Sequence, residues 1–161
     1  MIAQLPSDVY SPNQLGIIIW ELGNLVSQLR DASTRAAVTK QEQATDVHAS
    51  ALLLSVLHAS GVSTKDHQTL EQLQREIELI RDKAPSAHMM LAALPNRAMK
   101  RMMVEWFRSE IHPQFLLTFA ARGDIGGGFI LRTGSKQYDL SFRGRILGNK
   151  QRLVEIFDSV R

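Results

Sequence analysis

The residues that most invite a chemical interpretation form a glycine-rich run, Gly123-Asp124-Ile125-Gly126-Gly127-Gly128. A phosphate-binding loop needs two glycines with four residues between them, followed by lysine and by serine or threonine, ahead of a helix. Here Phe129 and Ile130 follow the run, and they are typical of a strand rather than of a helix start. Thr133-Gly134-Ser135-Lys136 has serine and lysine in the reverse order. The run therefore indicates a bulge or tight bend before a hairpin rather than a nucleotide site.

No other group of side chains has the spacing of a catalytic or metal site. The five histidines form neither a His-Glu-x-x-His pattern nor a cluster with aspartate. The absence of cysteine excludes disulfides, thiol nucleophiles and cysteine-bound zinc. The Gly-x-Ser-x-Gly elbow of serine hydrolases is also missing. We therefore expect a protein that is not an enzyme, with no catalytic residues, no cofactor and no metal.

The first half of the chain predicts a bundle of helices, which would have to position any binding surface there. Ser11-Pro12-Asn13-Gln14 is typical of a helix start, because Ser11 and Gln14 can form a capping box and Pro12 suits the first turn. An apolar stripe at helical spacing then predicts a helix that ends after Arg30: Leu15, Ile18, Ile19, Leu22, Leu25, Val26 and Leu29. Residues 33–45 suit either a loop or a weak helix.

Two further helices are predicted before residue 85. Residues 46–60 are apolar on most sides, as in a central bundle helix, and Gly61 ends them. Residues 63–66 open the next helix, which runs through Lys83 and is stopped by Pro85. Its apolar stripe is Leu70, Leu73, Ile77 and Ile80.

The second half predicts the order β-α-β-β-β-α. We expect strands over residues 86–93, 115–120, 129–133 and 137–142, the last two joined as a hairpin by Gly134-Ser135. Asn149 can cap a final helix. The helix between the first two strands begins at residues 94–96, and its stripe favours core packing over a binding surface: Met99, Met102, Met103, Trp106, Phe107 and Ile111. The fold class is α+β, with a helical bundle domain over 1–85 and an α+β domain over 86–161.

Charge differs between the two predicted domains. Residues 1–85 hold 7 Lys/Arg and 10 Asp/Glu, a net charge of −3, whereas residues 86–161 hold 12 and 6, a net charge of +6. This suggests different partners for the two halves, although a drift of surface charge within one stable protein explains it equally well. Lys100, Arg101 and Arg108 predict a basic face, so a basic nucleic-acid-binding module is an alternative.

The segment 123–145 resembles the C-terminal signature of the delta subunit of F-type ATP synthases. This family includes the mitochondrial oligomycin-sensitivity-conferring protein. The pattern is a glycine pair, an apolar strand ending in arginine, a glycine turn, then aspartate-x-serine-x-arginine. The matching positions are Gly126, Gly127, Arg132, Gly134, Asp139, Ser141 and Arg143, followed by Gly144 and Arg145. The chain departs from the pattern at Ser135 and Leu140, and its helical half is shorter than the family's six-helix domain.

The resemblance implies a non-catalytic subunit of the peripheral stalk, or stator, that resists rotary torque during ATP synthesis coupled to proton transport. It implies that the helical domain binds N-terminal helices of alpha subunits and that the C-terminal domain binds C-terminal ends of b subunits. We expect the stripe Leu15–Leu29 to line a groove for a partner helix. Arg143 and Arg145 suit an interface or an internal structural role equally well. No nucleic acid is then expected.

The same resemblance implies a cytoplasmic location, peripheral on the inner face of the cell membrane. The first eight residues lack the basic and apolar regions of a signal peptide. The longest nearly apolar stretch, 49–59, is about half the length that spans a bilayer. We therefore expect contact with the membrane only through the complex.

Overall fold

The computed structural model describes residues 4–39, 49–64 and 66–148. In chain order the elements are α1 (Pro12–Thr39), α2 (Ala51–Ser60), α3 (His67–Lys83), β1 (Ser86–Leu91), α4 (Arg97–Glu110), β2 (Leu116–Ala121), β3 (Phe129–Thr133), β4 (Lys136–Asp139) and α5 (Phe142–Gly148). Helices come first and a four-stranded sheet with further helices follows, which confirms the predicted α+β class.

The chain divides into two compact units. The described residues of the first, the helical unit, fall within Met1–Pro85 and Val104–Leu116; those of the second, the mixed unit, fall within Ser86–Met103 and Leu117–Arg161. The predicted domain limit after residue 85 coincides with the end of the first segment of the helical unit. The second half of α4 and the loop after it also group with that unit, which the sequence did not suggest.

Helix α1 begins as predicted and ends later than predicted. The side-chain oxygen of Gln14 accepts the N–H of Ser11 at 3.1 Å, and the Ser11 hydroxyl accepts the N–H of Gln14 at 3.3 Å. These two bonds form the capping box. The predicted end after Arg30 is wrong, because α1 continues to Thr39. Ser33 and Thr34 donate their hydroxyls to the carbonyl of Arg30, so these polar side chains are accommodated on the helix.

A single apolar cluster holds the helical unit together. Apolar side chains from α1, α2 and α3 meet there and exclude water, which supplies most of the folding free energy. The stripe of α3 is buried as predicted, and Gly61 ends α2 with a φ of 64°. The cluster consists of Val9, Leu15, Ile18, Leu22, Leu25, Val26, Leu53, Val56, Leu57, Val62, Leu70, Leu73, Ile77, Ile80 and Leu116.

The sheet of the mixed unit has the strand order β2-β1-β3-β4. Strand β1 pairs antiparallel with β3, where Met89 lies opposite Leu131, and β3 pairs antiparallel with β4, where Leu131 lies opposite Tyr138. The hairpin between β3 and β4 turns at Gly134 as predicted, and the φ of 52° at this residue is one that glycine adopts readily.

In the last part of the chain, one predicted boundary differs from the structure and another falls outside the described residues. The predicted strand over 137–142 is too long, because β4 ends at Asp139 and Phe142 already begins α5. The side chain of Asp139 turns the chain into the helix, as described below. The predicted final helix after Asn149 lies outside the described residues.

The predicted core stripe of α4 is largely wrong. The buried side chains of this helix are Val104 and Phe107. Met102 is 62% exposed and Trp106 is 56% exposed, and Met99 and Ile111 are exposed as well. The helix has apolar residues on more than one side, and the structure buries a side that the stripe mostly missed.

Candidate functional site

The aspartate and serine of the family-like motif form the start of helix α5. The carboxylate of Asp139 accepts the N–H of Ser141 at 2.9 Å and its hydroxyl at 2.5 Å. The Ser141 hydroxyl accepts the N–H of Gly144 at 3.0 Å, and this caps the helix. Ser141 is only 3% exposed. Ser141 is therefore enclosed at the helix start, whereas Asp139 is exposed and accepts both of these bonds from Ser141.

These bonds also set the charge state of Asp139. The hydrogen bond from the Ser141 hydroxyl, with a second from its backbone N–H, lowers the pKa of the Asp139 carboxyl. The positive charges of Arg122 and Arg143 act in the same direction. The carboxylate is thus ionised at neutral pH and is an acceptor for both Ser141 donors.

The glycine run passes closely over the start of α5. The carbonyl of Gly127 accepts the N–H of Phe142 at 3.0 Å. A Cβ on Gly128, whose φ is 78°, would lie 2.5 Å from the carbonyl oxygen of Leu140, and one on Gly127 would lie 2.6 Å from the ring of Phe142. Gly144 is restricted by a side chain, since its Cβ would lie 2.7 Å from the carboxyl carbon of Asp139. Gly128 is the glycine that backbone packing requires, as expected of a tight bend.

Not every glycine of the motif is restricted in this way. A Cβ on Gly126 would meet nothing within 4 Å. Gly128, which was not assigned to the motif, is the more constrained residue. The signal that could have found it is its place directly before an apolar strand, where the run must come closest to the next element.

The three arginines of the motif have exposed side chains. Arg132 lies in β3, between His88 of β1 and Gln137 of β4 in the sheet register. Arg143 and Arg145 are exposed residues of α5. The structure therefore separates the motif into residues that hold the fold and arginines that face the solvent.

Helix α5 presents apolar side chains next to those arginines. Phe142 is 57% exposed, Ile146 60% and Leu147 58%. With a turn of 3.6 residues, Phe142 and Ile146 lie on one side of the helix, and Arg143 and Arg145 lie on either side of that pair. We call these five residues the α5 surface. Phe142 and Ile146 are two neighbouring large apolar side chains in the open, as is typical of a protein-binding patch, and Leu147 lies about 100° further round the helix than Ile146.

The stripe Leu15–Leu29 does not line a groove. Leu15, Ile18 and Leu22 are fully buried, Leu25 and Val26 are nearly so, and Ile19 and Leu29 pack partly buried against the same cluster. The predicted groove is wrong at this place, because α2 and α3 already occupy the apolar side of α1. A stripe in the sequence marks an apolar face, but it does not show what lies against that face.

Arg108 has a role that the sequence did not reveal. Its guanidinium donates to the carbonyls of Leu5 at 2.8 Å, Pro6 at 3.1 Å and Val9 at 2.6 Å, and more weakly to Phe115 at 3.4 Å. Burial lowers the pKa of Arg108. The side chain ties the N-terminal segment to α4, so Arg108 does not belong to an exposed basic face. No local sequence signal points to it, since the partners lie about a hundred residues away in the chain.

Within residues 4–39, 49–64 and 66–148, no three or more His, Cys, Asp or Glu side chains lie close enough together to hold a metal ion. None of the helices found there has the length and apolar character needed to cross a bilayer.

The comparison with known proteins adds no relative. Neither the known protein families nor the curated proteins contain a match to this chain.

Proposed function

We propose that this protein is a non-catalytic stator subunit of an F-type ATP synthase, linking the catalytic head to the b-subunit stalk. Support comes from the motif of residues 126–145 and from the order of a helical unit before a mixed unit. A stator joint must hold two partners at once, and a chain with two compact units of unlike surface suits that task. The proposal further places the protein at the inner face of the cell membrane through its complex.

The α5 surface is the single observation that carries the stalk contact. It combines exposed Phe142, Ile146 and Leu147 with two arginines, and the glycine run and the Asp139 cap hold its helix in place. Apolar anchors surrounded by positive charge favour an amphipathic helix with acidic flanks. The C-terminal end of a b subunit would supply such a helix.

Two features separate the stalk contact from the rest of the motif. Asp139, Ser141 and Gly144 make contacts inside the mixed unit, so their replacement affects folding first. Ile146 and Leu147 are more than half exposed, so their replacement affects a partner first. The proposal therefore distinguishes variants that lose the fold from variants that lose the stalk alone.

Affinity purification of the tagged protein from its own cells tests the function. We expect the wild-type chain to bring down alpha and b subunits of ATP synthase in fixed ratio. The variant Ile146→Asp should lose b subunits, because a carboxylate replaces an apolar anchor and repels acidic flanks. Met102→Asp is the matched control, since it places the same charge at an equally exposed apolar site of the mixed unit.

The function is wrong if the wild-type protein purifies without any ATP synthase subunit. The α5 assignment alone is wrong if Ile146→Asp keeps its b subunits. Circular dichroism of each variant checks that the fold is retained.

The alternative function, a basic nucleic-acid-binding module, draws on the exposed Arg132, Arg143 and Arg145. Arg108 makes internal contacts, so it is not part of the basic face that a nucleic-acid-binding module would need. A mobility-shift assay tests this alternative. Binding that weakens steeply between low and moderate salt would favour it, and no binding at low salt would remove it.

A further inference from the structure

Three polar side chains form a row across three strands of the mixed unit. Arg132 of β3 lies opposite His88 of β1 on one side and opposite Gln137 of β4 on the other. Directly opposed residues of antiparallel strands project from the same face of a sheet, with their Cβ atoms about 4.5–5.5 Å apart. All three side chains are exposed. We call these three residues the sheet row.

The backbone fixes the positions of these side chains. Strand β3 is an inner strand of the sheet, and β1 and β4 pair with its two edges. The Thr133 hydroxyl donates to the carbonyl of Ser86 at 3.1 Å, which holds the end of β3 against the start of β1. Side chains on paired strands keep their spacing better than side chains on loops, so the sheet row is suited to a ligand of definite size.

The charge of Arg132 is not balanced by a carboxylate in the part of the chain that the structure describes. Among the ion pairs formed by described residues, none includes Arg132. Strand β4 ends at Asp139, but the cations that lower the pKa of this carboxyl are Arg122 and Arg143. The described residues of the mixed unit include eight Lys or Arg and two Asp or Glu, a net charge of +6. An anion from outside would therefore meet an unpaired guanidinium on a positively charged unit.

The three side chains can all donate hydrogen bonds to one anion. Arginine offers two parallel N–H donors in a plane, the glutamine amide offers two N–H donors, and the histidine ring offers at least one. A carboxylate has two oxygens, which the guanidinium alone can satisfy. A phosphate group has at least three acceptor oxygens at the corners of a tetrahedron, so it can accept from donors of all three strands at once. The sheet row therefore suits phosphate better than carboxylate.

We propose that the sheet row binds the terminal phosphate of a small soluble phosphate compound, with Arg132 as the main anchor and with His88 and Gln137 as flanking donors. The site shares no residue with the α5 surface. It goes beyond the proposed stator function and does not rest on it. The backbone of a nucleic acid presents related phosphate chemistry, so the test includes both sources.

Titration of the isotope-labelled full-length chain with inorganic pyrophosphate, followed by NMR, tests the site directly. At low salt we expect saturable shifts of the Gln137 side-chain amide and of the Arg132 Nε–H signal. Malonate, a dicarboxylate, is the matched probe and should bind about tenfold more weakly, because each of its carboxylates needs only the guanidinium. A single-stranded oligothymidine without a terminal phosphate should leave both signals in place.

Two variants that each remove one positive charge separate the site from general electrostatic attraction. Arg132→Gln should weaken pyrophosphate binding about tenfold, the effect of losing hydrogen bonds from a charged donor. Lys136→Gln is the matched control, because Lys136 precedes Gln137 in β4 and so projects from the opposite face of the sheet. Its affinity should stay within about twofold of the wild type, as at a screened surface charge. Arg132→Lys keeps the charge without the planar fork, so its affinity should lie between those of the wild type and Arg132→Gln.

The inference is overturned if pyrophosphate shifts neither signal, if malonate binds as tightly, or if Lys136→Gln weakens binding as much as Arg132→Gln. Wild-type affinity in Arg132→Lys would overturn the role of the guanidinium fork. Shifts caused by the oligothymidine and not by pyrophosphate would overturn the inference and favour the nucleic-acid-binding alternative. The purification experiment is separate: copurified ATP synthase subunits without pyrophosphate binding would refute this inference alone, and the reverse result would refute the proposed function alone.

Discussion

Helices α1 and α4 each carry apolar residues on more than one side, but they differ in which side is covered. In α1 the regular stripe of Leu15, Ile18 and Leu22 is fully buried. In α4 the predicted stripe is divided, because Met102 and Trp106 are more than half exposed whereas Phe107 is buried. The difference teaches that helical spacing identifies an apolar face, whereas the neighbours of the helix decide whether that face becomes core or surface.

The residue types in the two stripes agree with the burial of the α1 stripe and with the exposure of Met102 and Trp106 in α4. The α1 stripe consists of branched aliphatic residues, which pack densely in one arrangement. The α4 stripe contains methionine and tryptophan, residue types that are common on adaptable binding surfaces. The residue types of the α1 stripe therefore suit a core, and those of Met102 and Trp106 suit a surface.

The largest effect that separates the two helices is expected from truncation in the core. Leu22→Ala should lower the free energy of unfolding by roughly 2–5 kcal/mol, because it removes buried methyl groups and leaves a cavity. Met102→Ala should change it by less than about 0.5 kcal/mol, as at other exposed positions. Urea unfolding measures both values. Equal losses would contradict the assignment of one stripe to the core and the other to the surface.

The next largest effect concerns the glycine run of the mixed unit. Gly128→Ala should destabilise the protein by about 3 kcal/mol, since alanine disfavours a φ of 78° and its Cβ would contact the carbonyl of Leu140. Gly126→Ala is the matched control, because its Cβ has open space, and it should be nearly neutral. Thermal unfolding compares the two. A Gly126→Ala variant as unstable as Gly128→Ala would show that the run is constrained by something other than these contacts.

The sequence predicted much of the architecture because local signals suffice for it. The capping box at Ser11, the glycine after α2 and the hairpin turn at Gly134 depend on a few neighbouring residues, and the structure has all three. Long-range contacts were not predictable in the same way. The partners of Arg108 are carbonyls, which every residue has, so no residue type marks them.

The motif also shows that residue types alone do not establish which contacts a side chain makes. The sequence identified Asp139 and Ser141 without showing that each would be engaged by its neighbour. Residue identity pointed to the right segment, and packing decided which residues remain available to a partner.

A smaller effect is expected when the tie between the N-terminal segment and α4 is removed. Arg108→Leu should cost about 2–3 kcal/mol, because hydrogen bonds from a charged donor to buried carbonyls are among the stronger ones. Arg108→Lys keeps the charge but cannot span several carbonyls, so it should recover only part of the loss. Hydrogen exchange at the Val9 amide, which donates to Pro6, reports the local change. Full recovery by lysine would show that charge alone matters there.

The smallest effect compares a carboxylate near the start of a helix in each unit through its pH dependence. Hydrogen bonding from Thr69 lowers the pKa of Asp66 at the start of α3, and hydrogen bonding from Ser141 lowers the pKa of Asp139. A carboxyl whose pKa is lower in the folded state stabilises the protein at pH values above its unfolded pKa of 3.8. This stabilisation is lost as the pH falls through the folded pKa.

Asp66→Asn and Asp139→Asn should therefore lower the stability of the protein slightly at pH 7, since the asparagine side chain can still accept hydrogen bonds there. Urea unfolding between pH 7 and pH 3 should show each variant approaching the wild type as the pH falls below about 4, since the ionised carboxylate is what distinguishes them. If the stability difference between a variant and the wild type stayed constant from pH 7 to pH 3, the carboxylate at that helix start would act through its hydrogen-bond geometry and not through its charge.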